Sequence, residues 1–201
     1  MSNLSKKLLI ATKNQGKVNE IIVLFKNANL NIDIKSLNDL KIYDDYEETG
    51  TTFESNAIGK SQFYSKLVSD RLTIADDSGL IVDALNGEPS VYSARYSGIN
   101  ATDNKNNKKL LKELENIEDR KAKFKTVVSI SLNGELIKTF HGEVKGKILT
   151  TPRGNSGFGY DPLFYYTPLK KTFGELSIEI KNNISHRAKA VKQMINFFKE
   201  L

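Results

Sequence analysis

Two long segments of alternating side chains, joined by Asn133-Gly134, restrict the fold of this chain more than any other feature. Residues Phe124–Leu132 and Glu135–Val144 alternate apolar and polar positions, and Asn-Gly is the strongest short signal for a tight turn between two strands. Lys145–Leu149 is predicted to extend the second strand. The second half of the chain therefore contains an antiparallel ribbon, which excludes an all-helical fold.

The first half of the chain alternates strands with helices. Strand-like Leu8–Ala11 precedes a helix whose apolar residues recur at helical spacing, which is a β-turn-α opening. The further predicted elements, in chain order, are a strand at Asn31–Leu37, a helix from Phe53 to Ser69, a strand from Leu72, a helix at Thr102–Asn116 and a final helix from Lys181. This order predicts an α/β fold.

Composition narrows the class of protein. The 201 residues are 39% hydrophobic and 27% charged, which is enough for a full core in one domain. The net charge of +6 is spread out with no basic stripe interleaved with aromatic residues, so we expect a small anionic ligand and no nucleic acid. Absence of cysteine excludes disulfides and thiolate zinc sites. The apolar run Leu8–Ala11 is too short for a signal peptide or a membrane span, so we expect a cytoplasmic protein that makes no membrane contact.

Two adjacent carboxylates, Asp76 and Asp77, follow the apolar residues Leu72, Ile74 and Ala75. Because Ser78-Gly79 is typical of a turn, the pair is predicted at the carboxyl end of a buried strand, where open α/β sheets keep their ligand sites. Neighbouring strand residues point to opposite faces, so one carboxylate can hold a metal or accept a proton while the other braces the backbone. An ordinary acidic turn is the alternative.

The first turn, Thr12-Lys13-Asn14-Gln15-Gly16-Lys17, lies between a strand and a helix, where backbone amides and the positive helix end favour an anion. It is not a P-loop, because Val18 follows the lysine in place of Ser or Thr. By itself, this segment is more typical of a plain βα loop with a solvated lysine.

A second loop, from Gly154 to Pro162, surrounds Phe158 with glycines, which lets a flat ligand approach the backbone. Phe158 is predicted to stack on a base or, alternatively, to fill the core. Further on, Lys181, His186 and Arg187 are predicted at the positive end of the last helix, which is unfavourable unless an electron-rich ligand lies there. Solvent-exposed basic residues screened by salt are the alternative.

Taken together, these segments resemble the noncanonical purine nucleoside triphosphate pyrophosphatases, the inosine triphosphate pyrophosphatase or Ham1-like family, over essentially the whole chain. The resemblance rests on the order and spacing of five motifs: Thr12-x-Asn14-x-x-Lys17, Asp76-Asp77-Ser78-Gly79-Leu80, Tyr92-Ser93-Ala94-Arg95-Tyr96, Phe158-Gly159-Tyr160-Asp161 and Ser185-His186-Arg187. It implies one domain over residues 1–201, with a central mixed, elongated sheet flanked by helices and two lobes with the active-site cleft between them.

The resemblance also implies an activity, which is hydrolysis of inosine and xanthosine triphosphates, ribo and deoxy, to the monophosphate and pyrophosphate, with Mg²⁺, in a homodimer. Asp77 would be the acidic centre and Ser78 would line the substrate site. The triphosphate would be held by Thr12, Lys13, Asn14, Gln15, Gly16, Lys17 and Lys60, and the base by Phe158, Gly159, Tyr160, Asp161, Lys181, His186 and Arg187. Because Mg²⁺ takes carboxylate, phosphate and water oxygens, Glu47 is the favoured second ligand beside Asp77, with Glu48 and Glu54 as alternatives.

This chain departs from the family pattern at two positions. Ser55 stands where relatives commonly carry glutamate, so Glu54 is a candidate substitute, and Ser90 replaces a glycine after Pro89. Two other functions stay open, a Maf-type pyrophosphatase acting on pyrimidine or methylated nucleotides and a non-enzymatic nucleotide or RNA binder. The base preference distinguishes the Maf-type activity, and magnesium-dependent pyrophosphate release distinguishes an enzyme from a binder.

Overall fold

The computed structural model describes residues 6–200. Met1–Ser5 and Leu201, the two ends of the predicted domain, lie outside the described residues. The helices and strands are β1 (Lys7–Ile10), α1 (Gln15–Asn27), β2 (Asp33–Ser36), α2 (Phe53–Leu67), β3 (Leu72–Val82), α3 (Asp103–Glu113), β4 (Lys121–Leu132), β5 (Glu135–Ile148), β6 (Phe164–Tyr166), β7 (Lys171–Thr172), α4 (Ile178–Ile184) and α5 (His186–Glu200).

The strands form one seven-stranded mixed sheet in the order β2-β1-β3-β4-β5-β6-β7. Strand β1 is parallel to both β2 and β3, while β6 is antiparallel to β5 and β7. At the turn between β4 and β5, Asn133 and Gly134 adopt φ angles of 51° and 83°, the left-handed pair that a two-residue hairpin requires. The predicted α/β class and the ribbon are confirmed, and the second ribbon strand runs on to Ile148.

The predicted break at the acidic pair is wrong. Strand β3 continues through Asp76, Asp77 and Ser78-Gly79 to Val82, because Leu80 and Val82 resume the buried apolar pattern and Ser78-Gly79 is strand interior. The parallel pairing ends earlier, since β1 matches only Leu72–Ile74. Both carboxylates thus lie just beyond the carboxyl end of the parallel pair, where a ligand site was expected.

The last helix is also not continuous. Ser185 has φ −68° and ψ 158°, an extended conformation that ends α4 before α5 begins at His186. Lys181 therefore lies in the last turn of α4, where a cation is favourable, and only His186 and Arg187 lie at the start of a helix. The prediction that all three share one helix N-terminus is wrong.

The fold divides into two compact units, and the first comprises the described residues up to 77 together with 126–142 and 187–200. Its core packs β1, β3 and β4 against the apolar faces of α1 and α5, as the helical spacing in α1 predicts. The buried side chains at this contact include Leu8, Ile10, Ile74, Val128, Val18, Ile21, Val191 and Met194.

Helix α2 packs within the same unit partly through small and hydroxyl side chains. The Ser129 hydroxyl donates to the Ala57 carbonyl (2.6 Å), and the Ser61 and Ser131 hydroxyls lie 2.7 Å apart. One helical turn further, Ser65 Oγ accepts the Gly134 N–H at 2.8 Å. The four serines are fully buried or nearly so, and directional hydrogen bonds hold the helix in place.

The second unit comprises residues 78–125 and 143–186. Its core contains an aromatic cluster in which the Phe124 ring lies 4.6 Å from Phe164 and 6.0 Å from Phe173, centroid to centroid. Leu80, Val82 and the buried residues of α3 complete it. Within residues 6–200 no helix has the length and apolarity that spanning a membrane requires.

Candidate active site

The loop between β1 and α1 is shaped by Asn14, the N-cap of α1. Its Oδ1 accepts the Lys17 N–H at 3.2 Å, and Thr12 Oγ1 accepts the Asn14 N–H at 3.2 Å. The cap thus satisfies one N–H at the start of this 13-residue helix, where the remaining backbone amides and the positive helix end favour an anion. Gln15 and Gly16 are the next residues of this turn, and the Gln15 amide donates to Asn19 Oδ1 at 2.9 Å.

Lys13, predicted to contact phosphate, points to the acidic segment that follows β2. Its ammonium donates to Asp45 Oδ1 at 2.5 Å and to the Tyr43 carbonyl at 3.2 Å. The Asp45 hydrogen bond raises the pKa of Lys13, which stays a cation. A phosphate would have to compete with an exposed carboxylate for this lysine, and exposed ion pairs of this kind are weak.

Asp76 faces α1 and α5 and is held by three nitrogen atoms. Its Oδ2 lies 3.0 Å from Lys17 Nζ and 3.3 Å and 3.2 Å from Nε and Nη2 of Arg187, while Arg187 Nη1 donates to Glu20 at 2.5 Å. Burial would raise the pKa of Asp76, but the Lys17 and Arg187 cations outweigh burial and hold it well below its ordinary range. Asp76 is thus a fixed anion.

Asp77 faces α2, on the opposite side of the strand. Its Oδ2 accepts a hydrogen bond from Asn56 Nδ2 at 2.9 Å, and Asn56 Oδ1 in turn accepts the Gly50 N–H at 2.8 Å. Burial and the nearby Glu48 carboxylate raise the pKa of Asp77 above its ordinary value, against the Asn56 hydrogen bond. The two carboxylates point to opposite faces of the strand, as predicted, and their pKa values shift in opposite directions, while their separate roles stay a prediction.

Lys60 contacts both strand β3 and the acidic segment. Its ammonium donates to the Asp76 carbonyl at 3.1 Å and forms an ion pair with Glu48. Burial lowers its pKa, but Glu48 and Asp76 together raise it above the ordinary value, so Lys60 remains charged. Lys17 on α1 and Lys60 on α2 therefore place two positive charges beside the acidic pair, and their contact with a triphosphate stays a prediction.

Glu48, and not the favoured Glu47, is the carboxylate that the structure brings to this cluster. Glu47 is exposed, whereas Glu48 is half-buried against Lys60 and acts on Asp77. Glu54 instead bonds Thr139 and lies 3.4 Å from His141 Nε2, and Ser55 forms a capping box with Thr52, so neither serves the acidic centre.

The oxygen donors of this cluster suit Mg²⁺, which binds one or two carboxylates and completes its shell with water and phosphate oxygens. Asp77 and Glu48 supply two carboxylates close enough for Glu48 to raise the Asp77 pKa, a repulsion that a cation would relieve. Among residues 6–200, no group of three His, Cys, Asp or Glu residues able to hold a metal ion is found.

The glycine loop belongs to the second unit and is organised by Asp161. Its Oδ2 accepts the Phe158 N–H at 3.0 Å and the Lys181 ammonium at 2.5 Å, and Lys181 Nζ lies 4.9 Å from the Phe158 ring centroid. Gly157 has φ 79°, and an added Cβ there would overlap the Asp161 carboxylate. The half-buried Phe158 ring is thus held beside a cation, which leaves core filling as the weaker reading.

Three further residues were predicted to lie in the site, and the structure places them as follows. Tyr160 is buried, and its hydroxyl donates to the Ser93 carbonyl at 2.8 Å, so its side chain packs in the core of the second unit. The buried His186 ring stacks on Phe124 at 4.7 Å. Ser78 is half-buried within β3, next to Asp77.

Arg187 was predicted to read the base, but its fork contacts carboxylates of the first unit, Asp76 and Glu20. Its contact with a base stays a prediction.

Sequence reasoning missed Glu20 and Asn56. Asn56 lies three residues after Phe53 and beside Ala57, on the buried face of α2, so its spacing was a usable signal. Glu20 gave none, since a glutamate on an otherwise apolar helix face is usually exposed.

Comparisons with known proteins place the chain in a family. A model of the Ham1 family matches residues 8–197. The dITP/XTP pyrophosphatase of Thermoanaerobacter pseudethanolicus is 49% identical over 193 residues, which cover 95% of this chain and 96% of that protein. The Staphylococcus aureus Ham1 protein has a similar structure, with a TM-score of 0.85 and 45% sequence identity. A Coxiella burnetii HAM1 protein gives a TM-score of 0.87 at 38% identity. Each comparison covers 97% of this chain and 99% of the other chain. By both sequence and structure, the chain belongs to the Ham1 family.

Proposed function

We propose that this protein hydrolyses noncanonical purine nucleoside triphosphates, ITP, dITP, XTP and dXTP, to the nucleoside monophosphate and pyrophosphate, and so removes them from the nucleotide pool. One observation supports this most directly. Asp77, buried and with a raised pKa, lies in one cluster with Lys17 and Lys60, so a basic carboxylate stands beside charges that a triphosphate needs. The names of the relatives supply the substrate class.

In the proposed reaction, the Asp77 carboxylate accepts a proton from a water molecule whose oxygen attacks the α-phosphorus. The bond between the α-phosphorus and the bridging oxygen breaks, and pyrophosphate leaves. A raised pKa brings Asp77 closer to the operating pH than a free carboxylate, which favours general-base catalysis. Lys17 and Lys60 neutralise the phosphate oxygens as charge shifts to the leaving group.

Magnesium is part of the proposal, held by Asp77 and Glu48 with phosphate and water oxygens. When bound, it would neutralise phosphate charge and orient the leaving pyrophosphate. Addition of a chelator to the purified enzyme should abolish turnover, and excess Mg²⁺ should restore it. Replacing Glu48 by Gln should raise the Mg²⁺ concentration needed for half-maximal rate, whereas Glu47→Gln, on the exposed neighbour, is the matched control that distinguishes the two candidate ligands.

The base side of the site is proposed to use Phe158 for stacking and Lys181 with Asp161 for polar contacts. A 6-oxopurine presents a carbonyl acceptor where adenine presents an amine, and an unsatisfied polar group can cost several orders of magnitude in specificity.

We also propose a cytoplasmic homodimer. Large apolar side chains that are exposed in the single chain, Tyr92 at 54% and Ile99 at 93%, support a partner surface, and light scattering of the purified protein tests it.

A substrate panel tests the proposed function. The purified protein should release pyrophosphate and monophosphate from ITP, dITP, XTP and dXTP at least about a hundredfold more efficiently than from ATP, GTP, UTP or dTTP. Highest efficiency with UTP or dTTP would instead identify the Maf-type activity. Nucleotide binding without pyrophosphate release, in the presence of Mg²⁺, would identify a binder and overturn the proposal.

A further inference from the structure

The backbone of the Phe158 loop is held by two side chains from helix α3. Asp103 Oδ2 accepts the Gly159 N–H at 2.7 Å, and Asn107 Nδ2 donates to the Gly159 carbonyl at 3.0 Å. The two residues are four positions apart and so project from the same helix face. Both polar groups of one glycine are thus bound by this pair, which we call the α3 clamp.

The conformation of the loop explains why a clamp is needed. Gly157 and Gly159 have φ angles of 79° and 62°, and residues 152–159 lie in neither a helix nor a strand. Within the loop, the Phe158 N–H donates to Asp161 Oδ2 at 3.0 Å, three residues away. Glycine loses more conformational entropy than any other residue when it is ordered, so a glycine-flanked aromatic is mobile unless its backbone is fixed from outside.

Helix α3 provides a rigid support for the clamp. Thr102 caps its first turn by accepting the Lys105 N–H at 3.3 Å, and Leu110 is fully buried. On the buried side, Asn106 accepts the Ser97 N–H at 2.8 Å and donates to the Ala94 carbonyl at 3.1 Å. The helix is therefore attached both by its core contacts and by hydrogen bonds, while Asp103 and Asn107 remain available for the loop.

We infer that Asp103 and Asn107 are positioning residues for base recognition, since they fix Gly159 and through it the orientation of the Phe158 ring. This rests on the proposed function, in which that ring stacks on the base. The clamp holds the loop that carries Phe158, so its loss should weaken binding of ligands that contain a base and spare ligands that consist only of phosphate.

The test compares two probes, inosine monophosphate, which carries the base, and inorganic tripolyphosphate, which lacks it. Asp103→Ala and Asn107→Ala should each raise the Kd of inosine monophosphate about tenfold, as expected for loss of a charge-assisted or ordering hydrogen bond, and should change the Kd of tripolyphosphate by less than about twofold, measured by calorimetry. Asn104→Ala, an exposed asparagine on the same helix, is the matched control and should change neither.

A second measurement follows the loop directly. The sequence contains no tryptophan, so Phe158→Trp introduces a single tryptophan at the proposed stacking position, and its fluorescence can be excited selectively over that of tyrosine. In this background, inosine monophosphate should quench the fluorescence, and adding Asp103→Ala should lower the anisotropy of the free protein because the loop moves more.

The outcomes separate the inference from the proposed function. Equal weakening of both probes, or no change in either, overturns the clamp as a positioning device while leaving base stacking in place. Absence of any fluorescence response to inosine monophosphate, together with unchanged binding after Phe158→Ala, overturns base stacking and with it the inference. A lower unfolding midpoint with unchanged probe selectivity would show a merely structural role, which also contradicts the inference.

Discussion

Replacing Asp76 by Asn should destabilise the protein far more than the same replacement at its neighbour Asp77. Asp76 is 2% exposed, and its Oδ2 lies 3.0–3.3 Å from nitrogens of Lys17 and Arg187. Removing one partner of a buried ion pair costs about 3–5 kcal/mol. Because the amide keeps the shape and one acceptor, we expect about 3 kcal/mol, which lowers the Tm by about 6–12 °C for a chain of this size.

Asp77→Asn should change the unfolding free energy by less than about 1 kcal/mol, because it removes a charge that the fold already disfavours. Burial and Glu48 raise the pKa of Asp77, and an amide oxygen can still accept the Asn56 hydrogen bond. Turnover, in contrast, should be lost, since an amide cannot accept the proton from water. Much of the nucleotide affinity should remain.

The assay combines urea unfolding followed by circular dichroism with pyrophosphate release from ITP. As a control for the source of the Asp76 effect, Arg187→Gln and the double variant complete a mutant cycle, in which a coupling energy above about 1 kcal/mol is expected for groups in contact. The reasoning is refuted if Asp77→Asn is the more destabilised variant, or if it retains near-native turnover.

Three further predictions follow from the site and the fold. Lys17→Ala or Lys60→Ala should raise the KM for triphosphates and lower kcat with little change in base preference, and a loss confined to one purine would contradict a phosphate role. Arg187→Ala should narrow the ratio of kcat/KM between ITP and ATP if Arg187 reads the 6-oxo group, whereas an unchanged ratio with a lower Tm would assign it to bracing Asp76. Hydrogen bonds from the Ser36 N–H and hydroxyl lower the pKa of Asp39 below its ordinary 3.8, so its ionised form stabilises the fold above that value. This contribution should vanish as the pH falls through the lowered pKa, so wild type and Asp39→Asn should differ in urea midpoint at neutral pH and converge in acid.

The elements with a strong local pattern could be predicted from the sequence. Asn133-Gly134 between two alternating segments indicated the ribbon, and the spacing of Val18, Ile21 and Phe25 indicated α1. The strand through Asp76 and Asp77 could not be followed to its end. Charged residues followed by Ser-Gly read locally as a turn, and only tertiary pairing keeps them extended in β3.

The site shows the same division between local and tertiary information. Asp77 and Lys17 can be proposed from the sequence because they lie in short motifs whose order is visible in the chain, whereas Lys60 is proposed from the family resemblance. The choice of Glu48 over Glu47 depends on which way an irregular segment turns, which no periodicity reveals. The contact of Arg187 with Asp76 joins residues 111 positions apart, and such pairs leave no trace in a single sequence.

The serine contacts of α2 determine which changes this helix can accept. Contacts between bulky apolar chains can be satisfied by many combinations of side chains, so mutations on one side are readily compensated on the other. Ser61 and Ser129 instead bond to particular oxygen atoms, and a single larger residue at either position would both overfill the site and strand a hydroxyl. Random mutagenesis should therefore recover few substitutions along this face of α2, whereas the apolar faces of α1 and α5 should tolerate many. The helix that carries Asn56 and Lys60 would then stay nearly constant in sequence while the apolar faces of the other two helices vary.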